Sequence, residues 1–187
     1  AKEIAERSEP TPDTHDSLQR AYRNLGDVED EEGNHEAARD HYDQALEHGR
    51  KAVELSGRAI GALSGLAASI NNLAILDVNL SNFTEARVGY EESLEIAKEI
   101  AERSEPTANT HGSLQRAYSN LCNVERKEGN HDAARGRCDQ AIEHGRKAVE
   151  LSGRAIETLR GLVWAIAQQA LILQQLLERE DLEPEER

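Results

Sequence analysis

The sequence predicts an all-α fold, an α-solenoid of antiparallel helix hairpins, on three observations. Residues 1–63 and 97–159 are near copies that differ at about a quarter of positions, and both open with AKEIAERSEPT. Half of that 96-residue offset superposes the hairpin between them: Leu25, Leu73 and Leu121 coincide, as do Ala38, Ala86 and Ala134, and the turn residues Asn34, Asn82 and Asn130. A fixed period of about 48 residues is the mark of stacked repeats, each burying its apolar faces only against its neighbours. Finally, the chain is 37% hydrophobic but only 3% aromatic, with four prolines, three of them at Pro10, Pro12 and Pro106 in two matching places. That composition builds a core of Ala, Leu, Ile and Val between close helices and leaves long stretches free of helix breakers.

Ala1–Arg7 reads as the tail of a second helix and Ser8–Asp13 as the link after it. The first hairpin, about 14–56, takes Ser17–Glu32 as its first helix, with Leu18, Ala21, Tyr22, Leu25 and Val28 on the apolar face. Gly33-Asn34 turns the chain, and His35–Leu55 returns with Ala38, Tyr42, Ala45, Leu46, Ala52 and Val53 inward; Ser56-Gly57 supplies the usual helix stop. The second hairpin, about 60–104, pairs Ile60–Leu80 with Phe83–Arg103 through Ser81-Asn82, where Asn82 is predicted to cap the second helix with its side chain. Small residues at Ala74, Ala86 and Ser93 allow close approach, with Leu73 and Tyr90 filling the space beside them. The third hairpin, about 110–152, repeats the first as Ser113–Glu128 and His131–Leu151. An unpaired last helix, about 155–178, is apolar nearly all round, and 179–187 is a polar tail expected to fray.

The large residue, Leu, small residue, turn, Ala, aromatic, Ala order of Ile70–Ala97 resembles the tetratricopeptide repeat, and Asn71-Asn72-Leu73-Ala74 resembles repeats of the kinesin light chain type. The resemblance implies a right-handed superhelix whose first helices line a concave groove. A period of 48 residues exceeds the family's usual 34, so each helix is read as about two turns longer at the connecting end.

A formal net charge of -14 excludes a nucleic-acid binder, because phosphate neutralisation needs clustered Lys and Arg. No signal peptide or long apolar span stands out, which predicts a protein off the membrane and in the cytoplasm. The chain has no methionine and starts within a helix-like run, as an excised segment would. Cys122 and Cys138 fall on facing helices opposite the earlier Gly26 and Tyr42, and are read as packing residues rather than a disulfide. Six of the seven histidines form repeat equivalents, His15 with His111, His35 with His131 and His48 with His144, so twins lie far apart and are read as solvated or capping. No HExxH, P-loop, GxSxG or CxxC pattern is present, so no enzyme, cofactor or metal is expected.

Binding is then the predicted work, with a protein or peptide as partner. Asn24, Asn72, Asn120 and Gln168 share one station on successive first helices, and Asn71 lies beside it. A carboxamide offers both a donor and an acceptor, matching a peptide unit at about 1 kcal/mol net per bond. The resemblance assigns Asn24, Asn72 and Asn120 to the backbone of an extended ligand. The alternative is that these amides bond neighbouring helices and stabilise the stack. Arg20 and Asp27 flank one end, Arg116 and Asn123 the other; Asp30 and Glu31 in the first copy become Arg126 and Lys127 in the second. Such polarity would orient a ligand of asymmetric charge. The second reading is self-association, a dimer or head-to-tail stack, through Leu162, Trp164, Ile166, Leu171, Leu173 and Leu177 of the last helix.

Overall fold

The structure, a computed structural model, describes residues 10–182. It holds seven helices: α1 Pro12–Glu31, α2 His35–Leu55, α3 Ile60–Asn79, α4 Phe83–Glu102, α5 Ala108–Lys127, α6 His131–Leu151 and α7 Ile156–Leu182. The described residues contain no strand. The tail helix read over Ala1–Arg7 lies outside the described residues, and so does the end of the polar tail, although α7 itself runs on to Leu182.

Both near-copy helices begin five residues before their expected start. Thr11 and Thr107 act as caps that the leucine periodicity does not show: each Oγ1 accepts the backbone N–H three residues on, at 3.2 and 3.1 Å. Thr110 Oγ1 returns the bond to the N–H of Thr107 at 2.9 Å, and Pro12 supplies the first-turn φ at no hydrogen-bond cost.

The turns inside the hairpins confirm the period residue by residue. Gly33, Ser81 and Gly129 adopt left-handed φ of 82°, 63° and 81°. The backbone N–H of Asn34, Asn82 and Asn130 then donates to the carbonyl five residues back, on Glu29, Asp77 and Glu125, at 2.8 to 2.9 Å. The expected capping by Asn82 does not occur. Its Nδ2 reaches back to Asp77 Oδ1 at 3.4 Å, as Asn34 does to Glu29 at 2.9 Å and Asn130 to Glu125 at 2.8 Å. A carboxylate is the better acceptor for an amide N–H, so the asparagine closes the preceding helix instead of opening the next.

Two compact units divide the chain, residues 1–72 and 73–187, with the boundary inside α3. In the first unit α2 buries Ala38, Tyr42, Ala45, Ala52 and Val53 as its periodicity requires, while Leu46 is half-buried. Helix α1 departs from expectation: Leu18, Leu25 and Val28 are exposed, and the residues it buries are His15, Gln19 and Gly26. In the second unit a core of Ala74, Val78, Ala86, Tyr90, Leu94 and Ala97 meets Leu114, Ala117, Leu121 and Val124 of α5. Ala141 and Ile142 of α6 pack on Ala165 of α7, and Cys122, Ala134 and Cys138 on Ile172. The last helix is therefore seated on α6, though nothing follows it in the described residues.

Helix α3 is, by length and composition, apolar enough to cross a membrane, contrary to the expectation of no such span. Its first part packs within the first unit, with Leu66 against Gly49 and Ser69 bonded to Gln19. A helix covered on several sides becomes apolar all round for the same physical reason as one in lipid.

Candidate peptide-binding groove

The first helices of successive hairpins are held in parallel by one repeated joint. Gln19 is fully buried, donates to Ser69 Oγ at 3.0 Å and lies between two glycines: a methyl on Gly49 would sit 2.6 Å from its Nε2, and one on Gly65 2.9 Å from its Oε1. Gln115 repeats this between Gly145 and Gly161, donating to Ser119 Oγ at 2.9 Å and to the Gly161 carbonyl at 3.1 Å. The sequence reading passed over these glutamines. The signal was available: Gln19, Gly49 and Gly65 return together 96 residues later.

The amide ladder is partly spent on the same stacking. Asn72 Nδ2 donates to Asp27 Oδ1 at 2.7 Å, and the same oxygen accepts Tyr42 O–H at 2.8 Å. Burial, then the Asp27 bond, holds the Tyr42 phenol well above the ordinary tyrosine range. Gln168, the counterpart of Asn72, accepts from Arg126 Nε at 3.2 Å, and Arg126 Nη2 also donates to Asn123 Oδ1 at 3.2 Å. The charge reversal between copies is thus a change of internal partners. Asp30 bonds His35 Nδ1 at 3.0 Å, whereas Arg126 turns to Gln168 and leaves His131 Nδ1 buried without a hydrogen-bond partner. Lys127 places its ammonium 5.7 Å from the Phe83 ring centroid.

Asn24 is exposed; Asn71 is half-buried; Arg20 pairs with Asp16 at 3.4 Å on the surface. Arg116 and Asn120 line an open pocket of about 430 Å³ between α5 and α7, with Gln115 and Ser119 at its floor and Trp164 on its far wall. Of the residues assigned to self-association, Leu162 is half-buried against Gly145, while Trp164, Ile166, Leu171, Leu173 and Leu177 are exposed.

Cys122 and Cys138 form a disulfide, Cα atoms 5.3 Å apart, rather than merely packing. Four of the histidines are neither solvated nor caps: His15 Nδ1 meets His48 Nδ1 at 2.9 Å, and His111 Nδ1 meets His144 Nδ1 at 3.0 Å. Tyr22 and Tyr118 stack on the second ring of each pair, 8° and 10° from parallel. Comparing equivalents 96 residues apart hid pairs that the hairpin closes across 33 residues.

Residues 66–105 match the tetratricopeptide repeat family model. That stretch is a tetratricopeptide-type repeat. No curated protein matches the sequence. Among solved structures, BtubC (BKLC) from P. vanneervenii shares the fold at 18% identity and a TM-score of 0.56, over 89% of this chain and 68% of that one. The N-terminal domain of stress-induced protein-1 (STI-1) from C. elegans is more distant in shape, at 19% identity and a TM-score of 0.43 over 81% of this chain and 96% of that one. MamA gives 17% identity and 0.32 over 82% and 92%. The tetratricopeptide fold suggests a scaffold for protein–protein interaction.

Proposed function

We propose that this chain is a non-catalytic scaffold that binds a peptide of a partner protein along its first-helix face, without cofactor or nucleic acid, and we read the repeat around Asn71-Asn72 as kinesin-light-chain-like. The observation that carries the proposal is the pocket between α5 and α7, where Arg116, Asn120 and Trp164 supply a cation, an amide and an apolar wall. Such a mixture suits an extended backbone with an anionic or apolar side chain beside it. Asn24 and Asn71 offer similar chemistry in the first unit, and Asn72 keeps one amide N–H and its carbonyl oxygen beyond the Asp27 bond. Because Asp30, Arg126 and Lys127 already have internal partners, Arg116 is the charge left to read a ligand's polarity. Selection of 12-residue peptides from a random library tests this. Enriched peptides should lose about fivefold in affinity, roughly 1 kcal/mol, with Asn120→Ala, and more with Arg116→Glu. Enrichment no better than scrambled controls, or affinities indifferent to both substitutions, sinks the proposal.

The alternative reading, self-association, draws support from the exposed Ile166, Leu171, Leu173 and Leu177 on α7. Truncation before α7 is no test, since it would uncover Ile142 and Cys138. Leu173→Gln with Leu177→Gln keeps the helix; sedimentation should show a concentration-dependent mass that this double variant removes. A cytoplasmic location off the membrane is also proposed, and the Cys122–Cys138 disulfide weighs against it, because reducing compartments keep thiols open; after alkylation on lysis, labelled cysteines would support the location and a blocked pair would overturn it.

A further inference from the structure

One stripe of α1, at steps of three and four residues, carries Asp13, Asp16, Arg20, Asn24 and Asp27. In α5 the arginine and the amide return as Arg116 and Asn120, but every acid of the stripe is gone: Asn109, Gly112 and Asn123 stand in their places. The changes all run in one direction, and they do not serve the helix. An acid in the first turn stabilises a helix through its dipole, and Asp13 has no acidic successor in the first turn of α5. Glycine inside a helix is less favourable than aspartate. What the changes open is the pocket between α5 and α7, whose α5 wall is formed by Asn109, Gly112, Arg116 and Asn120.

The first unit shows what an anion does at this place. Asp16 Oδ2 lies 3.4 Å from Arg20 Nη2, and a methyl on Gly65 would sit 3.4 Å from the Oδ1 of the same carboxylate. Arg20 is thereby engaged by its own helix. In the second unit a methyl on Gly112 would meet nothing within 4 Å, and among the described residues Arg116 makes no ion pair. The guanidinium is kept while the place of its carboxylate is left open. We propose that the pocket selects a peptide bearing an aspartate or glutamate side chain, seated beside Arg116 in the space that Asp16 fills in the first copy, and that Gly112 sets this choice. The inference rests on the peptide-binding reading and adds its specificity. A planar guanidinium presents paired N–H donors that a carboxylate accepts together, which an amide of the same shape cannot match. Glu157, in the first turn of α7, is the one acid among the lining residues and belongs to the opposite wall, so it disfavours a second acid beside the first.

The test is a pair of selections from the random 12-residue library, one on the full chain and one on its Gly112→Asp variant, followed by affinities of the enriched peptides made with amidated C-termini. Asp or Glu should be enriched at one position by the parent chain and not by the variant. Replacing that acid with the matching amide in the peptide should cost about tenfold in affinity against the parent and about twofold or less against Gly112→Asp, a coupling that reports the contact itself. The open space at Gly112 lets the variant keep its fold, which an unchanged far-ultraviolet spectrum certifies. The acid and amide peptides compared on the parent chain need no variant at all. Enrichment of neutral peptides, or an equal cost of the amide peptide against both proteins, overturns the inference and leaves peptide binding intact. Enrichment of Lys or Arg overturns it too, and gives the charge of the pocket to Glu157. Binding lost on amidation overturns the side chain as the source of the carboxylate, in favour of the peptide's C-terminus. Enrichment no better than scrambled controls overturns the peptide-binding reading and this inference together.

Discussion

The hairpins α1–α2 and α5–α6 are nearly the same sequence and solve the same contacts in different ways. Where Gly26 lets the Tyr42 ring lie on the helix backbone, so close that an added methyl would fall 2.5 Å from Cε1, the second copy joins Cys122 to Cys138 covalently. Where Tyr42, Asp27 and Asn72 form a neutral-to-acid chain, the second copy has Asn123, Arg126 and Gln168. Identical leucines and valines are core in one and surface in the other, because α4 covers α5. A residue's environment in a repeat is set by its neighbour as much as by its own helix, so equal sequence does not mean equal energetics.

The largest effect separating the copies should come from one substitution made twice. Leu121→Ala is expected to lower unfolding free energy by about 2–5 kcal/mol, whereas Leu25→Ala should stay within about 0.5 kcal/mol. Urea denaturation of both variants measures the gap; equal losses would mean that α1 is covered in solution. Next comes the disulfide. Its 16-residue separation should contribute about 3 kcal/mol through the unfolded chain, so reduction lowers the midpoint of the second unit while amide protection in α1 and α2 is unchanged. Restoring the other solution, with Cys122→Gly, Cys138→Tyr and Asn123→Asp together, should recover part of that loss.

The smallest effect is a pH dependence shared by both copies. Each histidine pair places two Nδ1 atoms within hydrogen-bond reach, so one must donate and the other accept, and a proton on both breaks the bond. Burial, then the neighbouring His15, holds His48 below the ordinary histidine value. Burial followed by Lys147 does so for His111, and burial followed by His111 for His144. The unfolded chain therefore binds more protons as pH falls through about 6.5, and stability present above that value is progressively lost below it. Denaturation midpoints between pH 8 and 5 measure the slope. Replacing His111 and His144 with Gln should flatten it more than replacing His48 alone, and a slope unchanged by both would show that these rings do not link folding to pH.

The period, the turns and the helix order were legible because they rest on local rules: Gly or Ser at the left-handed turn position with Asn after it, Ala where backbones meet, aromatics at fixed stations. The helix starts were missed because Thr11 and Thr107 cap ahead of the first leucine, outside the apolar pattern. The expected apolar face of α1 did not hold: Tyr22 stacks on His48 while Leu18, Leu25 and Val28 are exposed, because burial depends on what lies beside the helix, which no pattern within α1 encodes. At the candidate site, Arg116 and Asn120 fall where the first-helix station places them. The involvement of Asn72 and Gln168 in stacking was open in the sequence, because an amide suits a peptide and a neighbouring helix equally well. The histidine pairs and the disulfide were hidden for one reason: they join residues across a hairpin, while the comparison that organises this sequence runs between copies.

The difference at Gly26–Tyr42 and Cys122–Cys138 also bears on how the chain finds its partners while folding. Two nearly identical first helices and two nearly identical second helices invite mispairing, α1 with α6 and α5 with α2, for which the remaining interface residues offer little discrimination. In the first wrong pair Gly26 would face a cysteine too small to fill its hollow; in the second, Cys122 would stand where the Tyr42 ring needs room. One mismatch leaves a void and the other an overlap, so this single contact works as a key that lets each helix recognise its proper neighbour in a duplicated chain.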